Sequence, residues 1–207
     1  KRRRRRLQFE LMESRRLLAV DITLDGGNNL AVSDITGNVN ALTISTNLGT
    51  GRFEITDNLN AITTTIPGAS GSGTNAVQIP FGSVNGTSVF VYAGFGNDSI
   101  TFNSNFNPAS NFQVAVYGNG GTDSVTWQSA SSLRNVFVLE SEAISIESNI
   151  NTTEDQIWSN GVTTVGDVTL TGRDISFTGT VDAGADNLTV NSSGLVSIDS
   201  SLSSTDG

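Results

Sequence analysis

Two segments near the C-terminal end of the chain repeat one another. DVTLTGRDISFTGTVDAGAD begins at Asp167 and NLTVNSSGLVSIDSSLSSTDG begins at Asn187. Val168 and Leu170 match Leu188 and Val190 at an offset of 20, while Ile175, Phe177 and Val181 match Val196, Ile198 and Leu202 at 21. Three short apolar runs per ~21 residues are what one coil of a parallel β-helix requires. Each coil turns three corners, its inward side chains stack on the next coil, and its backbone pairs with that coil. The one-residue slip falls in a loop, where insertions are tolerated.

The same texture runs upstream. VDITL, LTIST, RFEIT, VFVYA, FQVAVY, VFVLE and ISIES alternate apolar and polar residues with period two, the signature of strands. Their Val, Ile, Phe and Thr suit a pleated surface. Gly, Asn, Asp and Ser fill the gaps and favour turns. The fold class expected is all-β, a parallel β-helix with coils of about 20–25 residues and about eight coils in the body. In the middle, Asp98 to Asp123 and Ile100 to Val125 are 25 apart, and Val125 to Ile146 is 21. The competing architecture is a β-sandwich, whose antiparallel strands would also produce TGNVNALTISTNLGTGRFEIT. Three regions are expected: a leader over 1–19, an irregular solenoid over 20–160, and regular coils over 161–207. The pattern is still running at Gly207, so further coils of a longer chain are expected beyond it.

Charge separates the leader from the body. Residues 1–16 carry a net +6, and everything after them a net −15. Such an acidic body argues against nucleic acid as a partner, because phosphates need a basic surface. The chain has no cysteine and no histidine. Disulfides, thiol catalysis, thiolate–imidazole metal sites and histidine-based triads are therefore excluded. No apolar run approaches the ~20 residues that span a membrane as a helix.

The leader, KRRRRRLQFELMESRRLLAV, is basic, then mixed, then briefly apolar, and Leu7, Leu11 and Leu18 lie near helical spacing. It resembles the N-terminal signature of exported and surface proteins of planctomycete-type bacteria, which reads roughly Phe-Glu-x-Leu-Glu-x-Arg-x-Leu-Leu-Ala after a basic run. Phe9, Glu10, Glu13, Arg15, Leu17, Leu18 and Ala19 fall on that pattern, and Met12 departs from it where Leu is usual. The resemblance covers about residues 5–20 and implies export to the cell surface or beyond, not an activity. The coils over 161–207 resemble filamentous-haemagglutinin-type adhesin repeats, and residues 20–160 resemble them less. That second resemblance implies a stalk or adhesion scaffold and carries no catalytic residue onto this chain.

One motif could carry chemistry. AGFGNDSIT (93–101) and GNGGTDSVT (118–126) each meet four of the five fixed positions of the calcium-binding nonapeptide Gly-Gly-x-Gly-x-Asp-x-apolar-x. The candidate metal-ligating set is Gly94, Gly96, Asp98, Gly121 and Asp123. Glycine turns expose carbonyl oxygens and the aspartates add charge, which together suit a weakly bound calcium ion. The competing reading needs no ion. Gly and Asn turn a corner, Asp bonds backbone amides, and Ile100 and Val125 point into the core. A third echo, GADNLT at 184–189, keeps Gly184, Asp186 and Leu188 and fits the corner reading.

Acidic pairs such as Asp174 and Asp199 could approach one another on neighbouring coils, the arrangement glycoside hydrolysis uses. Eighteen scattered acids make such pairs by chance, and the chain is read as a non-enzyme. Among the aromatics, Phe90, Phe102 and Trp127 are expected in the core, and Phe95 in a turn. The function expected is structural or adhesive display, secreted or at the cell surface. Its partners would be envelope or extracellular polysaccharide or proteins, together with continuing coils. A calcium- or carbohydrate-binding module is the alternative, and a polysaccharide-acting enzyme comes third.

Overall fold

The computed structural model describes residues 18–204, so the expected helical leader lies outside the described residues apart from its last two positions. Those two belong to a strand. β1 (Leu18–Leu24) pairs antiparallel with β2 (Leu30–Asp34), and Ala19 lies in the core. β3 (Ala41–Asn47) and β4 (Arg52–Asp57) form a second antiparallel hairpin. β5 (Ala61–Thr64) lies parallel on β1, and β6 (Ala76–Pro80) lies antiparallel on β4.

From that point every pairing of named strands is parallel. β7 (Ser88–Tyr92) stacks on β2 and β8 (Ser99–Phe102) on β3. β9 (Gln113–Tyr117) and β10 (Ser124–Trp127) follow on β7 and β8, and a third strand, β11 (Ser131–Leu133), joins the coil. The next coils are β12 (Asn135–Leu139), β13 (Ala143–Ile146) and β14 (Ile150–Thr152), then β15 (Gln156–Trp158), β16 (Gly161–Thr164) and β17 (Val168–Gly172). They continue through β18 (Ile175–Phe177), β19 (Val181–Asp182) and β20 (Leu188–Ser192) to β21 (Val196–Ile198) and β22 (Leu202–Ser203).

The result is a parallel β-helix with three sheets. The first runs β5-β1-β2-β7-β9-β12-β15-β18-β21, the second β6-β4-β3-β8-β10-β13-β16-β19-β22, and the third β11-β14-β17-β20. The C-terminal register is the one the repeat implies: Val168 faces Leu188, Ile175 faces Val196 and Val181 faces Leu202. In the first sheet Val89, Val114, Val136, Gln156, Ile175 and Val196 stack, so successive coils take 25, 22, 20, 19 and 21 residues. The expected match of Val125 to Ile146 is corrected by two residues, since Val125 faces Ile144 and Trp127 faces Ile146.

Two further expectations change. The first sheet holds seven strands of the parallel stack, β2 to β21, rather than eight coils. At the usual strand spacing its six steps rise about 29 Å. Residues 48–87 leave the coil path and build a cap, and the sandwich-like segment does form an antiparallel hairpin, β3 with β4, that leads from the coil into it. The cap also covers its own edges. The amide of Ile62 donates to the Thr74 carbonyl at 2.6 Å, and Ser70 and Gln78 exchange two amide–carbonyl bonds at 3.0 Å.

The core follows from the alternation. In β3 and β4 every second residue is inward, and Leu42, Ile44, Phe53 and Ile55 are buried. Stacked coils bring like residues together. Phe102 and Trp127 lie with ring centroids 4.3 Å apart, and Trp158 meets Trp127 edge-on at 6.2 Å. Several buried polar groups find partners within the core. The Trp127 indole N–H donates to the Ser129 carbonyl at 3.0 Å, and Gln156 donates to the Thr171 carbonyl at 2.9 Å.

Candidate functional site: the stacked glycine corners

The corner from the first sheet to the second is six residues long in three successive coils, at 35–40, 93–98 and 118–123. It then shortens to 140–142, 159–160, 178–180 and 199–201. The glycine–aspartate motif marks the second and third of these three stacked long corners. Phe95 bridges Gly120 in parallel register, the Gly96 amide donates to the Gly120 carbonyl, and the Gly120 amide donates to the Gly94 carbonyl, both at 2.9 Å. The glycines are needed because these backbones nearly touch. A Cβ on Gly121 would lie 1.5 Å from the Gly96 carbonyl oxygen, and its φ of 143° disfavours side chains in any case.

The aspartates tie one corner to the next. Asp98 Oδ1 accepts the Asn40 amide at 2.6 Å, Asp123 Oδ1 accepts the Asp98 amide at 2.9 Å, and Glu142 Oε2 accepts the Asp123 amide at 2.6 Å. Four residues in four successive coils thus form one column. Asp98 and Asp123 are 2% and 0% exposed, so an amide without this acceptor would be orphaned away from water. Burial pushes the Asp98 carboxyl up to about 6, against the pull of the Asn40 amide, and the nearby Asp123 adds to the rise. Burial raises Asp123 as well, with Glu142 contributing.

The structure brings the predicted set Gly94, Gly96, Asp98, Gly121 and Asp123 into one place. It assigns one oxygen of each aspartate, and the carbonyl of Gly94, to backbone amides. Asp98 Oδ2 and Asp123 Oδ2 are buried without a hydrogen-bond partner. Among the described residues, no group of three or more acidic, histidine or cysteine side chains is arranged to hold a metal ion.

Two members of the column carry no recognisable motif. Residues 35–40 are a third copy of the corner, with Asn40 at the aspartate level, but they hold Gly37 alone where the others hold two or three glycines. Glu142 closes the column from a three-residue corner, where nothing of the motif survives. The echo at 184–189 lies elsewhere, on the corner from the second sheet to the third. There Asp186 accepts the Gly166 amide at 2.8 Å, the same device at another edge of the prism.

The acidic pair considered for hydrolysis has local partners. Asp174 accepts the Leu195 amide at 2.8 Å and pairs with Arg173, which also binds Asp155 at 2.7 Å. Asp199 accepts the Ser197 hydroxyl at 2.6 Å. Among the aromatics, Phe102 and Trp127 are fully buried as expected, whereas Phe90 points outward on the first sheet and is half-buried. It lies in a stack with Tyr92 at 6.2 Å, and Tyr92 stacks on Tyr117 at 5.2 Å with planes 10° apart. Phe95 is 76% exposed. No helix among the described residues is long and apolar enough to cross a membrane. Comparison with protein-family models, curated proteins and solved structures returned no match.

Proposed function

We propose that this protein is a structural or adhesive scaffold, secreted or displayed at the cell surface, without catalytic activity. The observation that carries the reading is the unbroken in-register stack from β2 to β21, held by strand pairing throughout and by a column of corner carboxylates across its first four coils. A stack of this kind gains length coil by coil from nearest-neighbour contacts, which suits a rod that presents surfaces at a distance. The leader's export-type signature points the same way. The partners proposed are envelope or extracellular polysaccharide or proteins on the outer faces, and further coils of the same chain along the axis. The test is protease shaving of intact producing cells. Release of fragments from residues 18–204 before lysis is expected; fragments that appear only after lysis would contradict the reading.

A binding module for calcium or carbohydrate is the second reading. For calcium, the favouring observation is the pair of buried, unpartnered oxygens Asp98 Oδ2 and Asp123 Oδ2. For carbohydrate, it is the outward Phe90, Tyr92 and Tyr117 stack. Calorimetric titration with calcium separates the first from the scaffold. Saturable heat that disappears in Asp98→Asn and Asp123→Asn would move the ion to the centre of the account.

A further inference from the structure

Two clefts follow one another along the third side of the prism. The first, of about 480 Å³, lies between the β3–β4 hairpin and the segment after β8, and Thr46, Glu54, Asn105 and Asn107 help to line it. The second, of about 400 Å³, lies on the outer face of the third sheet, lined by Ser132, Asn149, Asn151, Thr169 and Thr171 among others. Ala130 lines both, so they form one groove. It crosses the coils of β3, β8, β11, β14 and β17. Four steps between five coils give it a length of about 19 Å.

The floor of the groove is fixed. The Thr46 hydroxyl donates to the Asn105 carbonyl at 2.7 Å and accepts the Asn107 amide at 2.9 Å. From the next coil, the Ser129 and Ser131 hydroxyls donate to the Phe106 carbonyl. Beyond them β11, β14 and β17 pair in parallel, with Ser132 facing Asn151 and Asn151 facing Thr171. Period two turns these three side chains outward, at a spacing of about 4.8 Å.

The lining is built for hydrogen bonds and is nearly uncharged. Among the described residues, Asn105, Asn107, Thr169 and Thr171 are bonded through their backbones alone, which leaves their side-chain donors and acceptors free. Asn149 Oδ1 accepts the Thr169 amide at 2.7 Å, and that bond fixes the side chain with its NH₂ group free. Glu54 is the one charged residue of the lining, and its Oε1 already accepts the Asn47 and Gln78 side-chain amides at 3.1 and 3.2 Å. An anionic polymer would find no cation here, and a basic peptide only this one carboxylate. Hydroxyls and primary amides set donors beside acceptors, which is what the neighbouring hydroxyls of a sugar require.

We infer that this groove binds an extended strand of neutral polysaccharide through the side chains of Asn105, Asn107, Ser132, Asn151, Thr169 and Thr171. The coil spacing is close to the length of one pyranose unit, so successive coils meet successive sugars. A floor already held in place adds little ordering cost to binding. The inference rests on the reading that the outer faces of the rod meet polysaccharide, and it adds the face and the chemistry. The contact belongs to the third side rather than to the aromatic stack, where Tyr92 and Tyr117 cover part of one another's faces.

The test is native affinity electrophoresis of the full chain in gels holding mixed-linkage β-glucan, galactomannan or dextran, with polygalacturonate as the anionic comparison. Saturable retardation by at least one neutral polysaccharide is expected, and none by polygalacturonate. Asn151→Ala with Thr171→Ala should weaken it about tenfold or more. Asn105→Ala with Asn107→Ala, in a separate segment, should act alike. Thr101→Ala with Ser145→Ala removes similar groups from the outer face of the second sheet and should change nothing. Far-UV circular dichroism and urea midpoints check that each variant is folded. The inference is overturned if no neutral polysaccharide retards the chain, if polygalacturonate does so equally, or if both folded groove variants bind as the unaltered chain does. Cell-surface location is read separately by protease shaving, so failure here leaves the scaffold reading standing.

Discussion

The backbone amide of Asp98 donates to Oδ1 of Asp123, 25 residues later and one coil along, at 2.9 Å. Both residues are buried, and the bond repeats above with Asn40 and below with Glu142. The column locks the register of four coils at one edge of the prism.

Removing an acceptor from the column should destabilise the fold. Asp123→Ala orphans the buried Asp98 amide and should cost about 1–3 kcal/mol in urea unfolding. Asp123→Asn keeps a carbonyl oxygen in place and should cost less. Equal losses from the two variants would mean that the bond itself carries little.

Stability should also depend on pH in an unusual direction. Asp98 is raised from 3.8 to about 6, so the folded chain holds a proton that the unfolded chain has lost in that interval. Stability contributed by the protonated group is present below about pH 4 and lost as pH rises through about 6, by at most about 3 kcal/mol. Asp167 and Asp174 are lowered, chiefly by the Asn187 and Leu195 amides, and act in the opposite sense at lower pH. Thermal melts at pH 4.5 and pH 7 should therefore show the higher midpoint at pH 4.5, and Asp98→Asn should shrink the gap. A gap of the same size in the variant would assign it to general charge repulsion in the acidic body.

The corner glycines divide sharply. Gly121→Ala puts a Cβ against the Gly96 carbonyl at a φ that alanine avoids, and should cost roughly 3 kcal/mol or more. Gly26→Ala meets nothing within 4 Å and should be nearly silent. Comparable denaturation midpoints for the two variants would dismiss the close stacking of the corners.

Aromatic truncations should separate the inside of the rod from its face. Trp127→Ala empties a site between Phe102, Phe106 and Trp158 and should cost about 3–5 kcal/mol. Phe90→Ala removes a half-buried outward ring and should cost clearly less. Chemical denaturation of both variants checks the assignment of faces.

How much of this could be read from residues alone depends on how regular each part is. Where coils keep nearly constant length, offsets of 20 and 21 between apolar pairs are the stacking register itself, as at Val168–Leu188 and Ile175–Val196. Asp98 and Asp123 were equally legible, because both corners have six residues. The match of Val125 to Ile146 failed because Ile144 and Ile146 both point inward from AISI, so period two does not choose between them, and the actual coil length selects Ile144. Phe90 was misplaced because both parities of SVFVY are apolar, so period two does not say which faces inward. The cap at 48–87 shows ordinary strand patterns, and nothing local distinguishes a strand that pairs backwards from one that stacks forwards. At the corner, the motif revealed the two glycine-rich copies but not their role, since glycine and aspartate serve a tight turn and an ion equally well.

The most direct measurement is cysteine cross-linking in a chain that has no cysteine of its own. Thr101 faces Thr126 on the neighbouring coil, and Thr126 faces Ser145 on the next. In-register strands place the first pair about 4.8 Å apart, within disulfide reach, and Thr101 and Ser145 about twice as far, beyond it. Thr101→Cys with Thr126→Cys should cross-link on mild oxidation of the folded protein, and Thr101→Cys with Ser145→Cys should not. Cross-linking of the second pair, or of neither, would contradict the parallel stack on which the scaffold account stands.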